Sequence, residues 1–175
     1  GGGLGADRVV QALLEIARDE RDAQPVRQHA LTTLGRLEHG EGIPSLMAVG
    51  RATNDSWLAK QSVQALARSG DPRARQYLRD EARRTDLGDE ARAAVLRALG
   101  GEYATAADLA FLRELYPSLD SERARESVLV ALSEAGGSDN ARWLLAVARN
   151  DKESARLRRR AVQLAERAGV KGEDL

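Results

Sequence analysis

The sequence predicts an all-α protein, a right-handed solenoid of five helix hairpins, and three observations carry that expectation. First, the skeleton of QPVRQHALTTLG (24–35) returns four more times, aligning Val26, Leu58, Ala91, Ala124 and Leu157 at steps of 32, 33, 33 and 33. Second, hydrophobic residues make up 42% of the chain and aromatics only 3%, so the core is built mainly from Ala, Leu and Val, which suit close helix packing. Third, short polar joints separate the periodic stretches. A unit of about 32 residues that recurs in this way buries its apolar faces against its neighbours, which is how a solenoid is held together.

The first helix is expected over residues 7–19. Arg8, Gln11, Glu15 and Arg18 form a narrow polar stripe, while Val9, Val10, Ala12, Leu13, Leu14, Ile16 and Ala17 fill the rest of the circumference. The terminal helix of a complete solenoid shows water a polar face. This one is nearly as apolar as the interior stretch ARWLLAVAR (141–149), so the expectation is a preceding repeat, another domain, or self-association through this helix. The opening GGGLG, without a methionine, reads as a linker or the remnant of a trimmed longer chain, and an upstream targeting segment is compatible with it.

The joint DERDAQP leads to the second helix, with Pro25 in its first turn. Beyond the anchor column come Arg27, Ala59, Arg92, Arg125 and Arg158, with arginine in four of five repeats. Small or branched residues follow at +4 (Ala30, Ser62, Val95, Val128, Ala161), then Leu31, Val63, Leu96, Leu129 and Val162 at +5, and Leu34, Leu66, Leu99, Leu132 and Ala165 at +8. These positions lie on one face of an α-helix. The first helices of the hairpins are placed around Leu14, Met47, Leu78, Leu112 and Leu145. Asp, Ser and Asn in the joints TNDS, TDLGD, SLDS and NDKE are expected N-caps, and the glycines at 40, 70, 101, 136 and 169 are expected to close the second helices. The last helix carries Arg156, Arg158, Arg159, Arg160, Gln163, Glu166 and Arg167, which predicts a capped C-terminal end. The repeats fall at about 6–40, 42–70, 72–101, 105–137 and 138–169, one domain over 6–169 between a 1–5 linker and a 170–175 tail.

The stretches PVRQHALTTLG (25–35), DEARAAVLRALG (89–100), SERARESVLVALSEAGG (121–137) and SARLRRRAVQLAERAG (154–169) resemble the HEAT-like repeats of bacterial proteins, of the phycobilin-lyase type. Tetratricopeptide repeats would need more aromatics, and the TPLHxA of ankyrin repeats is absent. The resemblance spans residues 6 to 169. It implies that an acidic residue at each hairpin turn pairs with Arg27, Arg92, Arg125 or Arg158 as a structural ladder between repeats, broken at Ala59. It also implies that the second helices line a concave face. Enzymes on similar scaffolds include alkylpurine DNA glycosylases and phycobilin lyases, so an enzyme or enzyme-accessory role is the alternative reading.

Residue chemistry gives no catalytic, metal or cofactor site. There is no cysteine, and His29 and His39 lack a partner at metal-ligand spacing. No serine sits in a GxSxG elbow, and the glycine-rich stretches lack the lysine of a phosphate loop. The adjacent carboxylates Asp80 and Glu81, and Asp89 and Glu90, point to different sides of a helix. No apolar run is long enough to span a membrane. Cytoplasm and periplasm both fit the composition.

Binding is therefore expected on the exposed positions of the second helices. Repeat by repeat these are Gln28, Thr32 and Arg36; Lys60, Gln64 and Arg68; Ala93, Arg97 and Gly101; Glu126, Val130 and Glu134; Arg159, Gln163 and Arg167. The stripe suits a protein or peptide with acidic segments, gripped by arginine–carboxylate contacts. Net charge is zero, from 27 basic and 27 acidic residues, and Glu126 and Glu134 interrupt the stripe, which argues against nucleic acid. Trp57 occupies a column of water-tolerant residues and is a candidate anchor, whereas Trp143 is expected in the core.

Overall fold

A computed structural model describes residues 4–173. Among these the chain forms ten α-helices and no strand, the all-α hairpin class that the repeat predicts. Its contacts divide it into two compact units, residues 1–81 and 82–175, where the sequence suggests a single domain.

Unit 1 holds α1 (Leu4–Arg18), α2 (Gln24–Gly35), α3 (Ile43–Ala52), α4 (Ser56–Ser69) and α5 (Pro72–Ala82), the last reaching the boundary. α1 packs on α2 and α3 on α4, and contact between α2 and α4 stacks the two hairpins through their second helices. Leu31, Leu34, Ile43, Leu46, Leu66 and Leu78 are fully buried. Asp55 caps α4 by accepting from the backbone N–H of Trp57 and Leu58, and Gly70 ends the helix in the left-handed conformation (φ 68°) that a side chain would strain.

Unit 2 holds α6 (Asp89–Ala98), α7 (Ala106–Leu115), α8 (Glu122–Ala135), α9 (Ser138–Arg149) and α10 (Ala155–Glu173). α8 touches α6, α7, α9 and α10, and α9 pairs with α10. Thr105 and Asp108 form a reciprocal capping box at the start of α7, and Ser121 caps α8.

Several sequence expectations shift. The 1–5 linker is helical from Leu4, so α1 starts three residues early, and α10 runs through Gly169 to Glu173 instead of ending in a 170–175 tail. Residues 1–3 and 174–175 lie outside the described part. The first-helix column slips by one residue in two repeats: Leu46 and Leu144 are fully buried, while Met47 and Leu145 are half-buried. The corrected column Leu14, Leu46, Leu78, Leu112, Leu144 also has the more even spacing. The N-cap positions of α2 and α6 are Ala23 and Gly88, neither supplying a side-chain cap, and Gly40 falls in a 3₁₀ turn at Glu38–Gly40. Trp143 is half-buried, its ring edge-on to Tyr116 at 5.1 Å.

Candidate interaction surface

The arginine column does two things. Within a hairpin, it donates to backbone carbonyls in the last turn of the preceding helix: Arg27 Nε reaches Ala17 O and Arg158 Nε reaches Ala148 O, each at 2.9 Å. Helix ends leave such carbonyls unsatisfied, and a guanidinium there also complements the helix dipole. Between repeats, two members of the column turn toward a carboxylate in the next joint. Arg27 Nη2 is 3.9 Å from Asp55 Oδ2, and Arg125 Nη1 is 3.0 Å from both oxygens of Glu153. Arg92 is half-buried without an ion pair among the described residues.

Glu153 sits at a buried polar junction. Besides Arg125 it accepts a 2.5 Å hydrogen bond from the Tyr116 hydroxyl, and the Arg125 guanidinium stacks over the Tyr116 ring at 5.1 Å. Burial, and then the bond to Glu153, push the Tyr116 phenol well above its ordinary value. Arg125 also donates to Leu119 O and Pro117 O, so one side chain closes the α7–α8 connection and holds the next repeat.

The predicted stripe is divided by its ion pairs. In unit 2, exposed Arg97 pairs with Glu134 at 3.1 Å. Glu126, half-buried, is held between Arg156 at 3.1 Å and Arg160 at 3.2 Å. Glu122 accepts from Ser154 first and Arg156 second, which holds its carboxyl below the usual range. Arg159, Gln163 and Arg167 are exposed on α10, whereas Ala93 is buried and leaves the stripe. In unit 1, Arg36, Lys60 and Arg68 are all exposed and make no ion pair with the described residues, and Gln28 and Gln64 lie half-buried on the same two helices.

The family model for HEAT repeats matches residues 10–100, just over half of the chain. The chain belongs to the HEAT-repeat family. A search of curated proteins finds no significant match.

Within this HEAT-repeat chain, Trp57 is not a free anchor. It is half-buried, and the Arg27 guanidinium covers its face at 4.4 Å from the ring centre. A depression of about 250 Å³ opens beside it, lined by residues that include Arg27, Val49, Thr53, Asp55 and Leu58. His29 and His39 are exposed, on α2 and in the following turn. Asp80 accepts from Gln76 one turn earlier on α5, and Asp89 and Glu90 stand exposed in the first turn of α6, where the helix dipole favours acids.

Sequence reasoning missed two buried groups. Arg75, on α5, repeats the ladder's carbonyl contact by donating to Ala67 O at 3.2 Å. It lies on α5, outside the second-helix column whose spacing marks the other arginines. Glu153 was legible in principle, because it stands four residues before the anchor Leu157, at the acidic turn of the family pattern.

Proposed function

We propose that this HEAT-repeat protein is a non-catalytic scaffold, of the phycobilin-lyase-type bacterial class, that binds an acidic segment of a protein partner along the exposed side of α2 and α4. The unpaired state of Arg36, Lys60 and Arg68 carries the proposal. An exposed cation already engaged by a carboxylate gives up that contact when a partner arrives, as Arg97 would give up Glu134. The unit 1 cations have no such contact among the described residues to lose. Two of them sit at helix ends, Arg68 in the last turn of α4 and Arg36 as the C-cap of α2, and α2 touches α4, so their charges fall on neighbouring helices. Guanidinium groups grip carboxylates with two parallel hydrogen bonds, and an extended acidic peptide can meet several at once.

Fluorescence anisotropy of a dye-labelled glutamate-rich peptide tests the chemistry. Binding is expected to the native chain, to weaken with salt, and to be lost in the Arg36→Glu/Lys60→Glu/Arg68→Glu variant. Equal binding to both proteins rules out this face.

A further inference from the structure

We propose that the chain stacks head to tail on a second copy of itself, with the outer face of α10 in one copy receiving the α1–α2 joint and the start of α2 from the next. The proposal concerns a different surface from the acidic-segment face and stands apart from it.

The chain's own repeats supply the pattern for this contact. In unit 2, Arg125 directly follows the anchor Ala124 and holds Glu153, which lies four residues before the anchor Leu157. Arg158 directly follows Leu157, and Asp22 lies four residues before the anchor Val26. Arg158 of one copy and Asp22 of the next therefore stand in the same register relation as Arg125 and Glu153. Arg158 spends its Nε on Ala148 O but has no carboxylate partner among the described residues. Asp22 is exposed, its carboxylate hydrogen-bonded only to the backbone N–H of the following Ala23.

The apolar positions repeat the pattern. At +5, Leu31, Leu96 and Leu129 are at most 1% exposed, but Val162 is 53% exposed. At the anchor, Leu58, Ala124 and Leu157 are buried and Ala91 is exposed, while Val26 is 47% exposed. Val162 and Val26 are two of the four large hydrophobic side chains left in water among the described residues. A head-to-tail contact covers both and gives Arg158 its carboxylate. Because the two faces differ, the interface is heterologous and continues past the dimer, into open chains or closed rings, instead of ending in a two-fold pair.

Sedimentation velocity of the whole chain over a concentration series tests this, with Asp22→Arg and Val162→Asp variants. Both sites are exposed, and unchanged thermal melts will show that the variants fold. The native chain is expected to grow beyond dimer as concentration rises, and each variant alone to raise the dissociation constant by about tenfold or more. An equimolar mixture of the two variants retains one matched pair of faces, so it is expected to give dimers that do not grow. A native chain that stays monomeric throughout, or association unaffected by either substitution, overturns the proposal.

Discussion

Arg125 Nη1 lies 3.0 Å from both carboxylate oxygens of Glu153, joining the start of α8 to the joint that precedes α10. Glu153 is almost fully buried and Arg125 about three-quarters so, with Tyr116 completing the group. Such a pair need not stabilise more than apolar residues of the same volume would, because desolvating two charges is costly. Its half-removal is a different matter. It leaves a buried cation and a buried hydroxyl without their acceptor.

Glu153→Ala is therefore expected to lower stability by about 2 to 3 kcal/mol, less than a wholly buried pair because Arg125 is partly solvated. Glu153→Gln, which keeps an acceptor for Tyr116, should lose about 1 kcal/mol less. Urea denaturation midpoints of the three proteins check the order.

The one-residue slip in the first-helix column makes a paired prediction. Leu46 is fully buried, so Leu46→Ala should cost about 2 to 5 kcal/mol. Met47 is half-buried, and Met47→Ala should cost under about 1.5 kcal/mol. Comparable losses in thermal unfolding would restore the column predicted from sequence.

Gly100 packs directly against α8. A Cβ there would fall 2.3 Å from the Cβ of Ala131 and 2.5 Å from its carbonyl oxygen, so α6 and α8 must move apart to admit one. Gly100→Ala is expected to cost roughly 2 kcal/mol or more. At the neighbouring Gly101, where the closest atom would be 4.0 Å away, the same change should be near neutral. Circular-dichroism melts of the two variants distinguish them.

Alkaline pH should weaken the junction through Tyr116. Burial and Glu153 keep the folded-state phenol protonated above the ordinary tyrosine value of about 10, so the unfolded chain releases its proton first. The stability this contributes is complete below about pH 10 and declines as pH rises beyond it. Tyr116→Phe should remove part of that decline, measured as the change in urea midpoint between about pH 9 and pH 11.

The hairpin repeat was legible because it is written in single-letter spacing. The second helices keep their aliphatic columns through five copies, and the arginine after the anchor marks the ladder. The first helices were harder to place, because Leu46-Met47 and Leu144-Leu145 each offer two apolar neighbours and only packing chooses between them. The charge pattern was harder still. Glu134 and Glu126 read as a break in a cationic stripe, yet in the fold they are the carboxylates that engage Arg97, Arg156 and Arg160. Which cations remain unpaired depends on residues thirty or more positions apart, and helix periodicity carries no such information. Trp57 misled for the same reason, since Arg27 covers it from another hairpin.

The most direct test of the proposed function is affinity capture with the immobilised chain, quantified by mass spectrometry. The native protein is set beside Arg36→Glu/Lys60→Glu/Arg68→Glu and beside Arg159→Glu/Arg167→Glu, all at exposed positions. A partner with an acidic segment that is held by the native chain and the second variant, but lost from the first, is the predicted result. A partner retained equally by all three, or lost only with the α10 pair, would contradict the assignment of binding to α2 and α4.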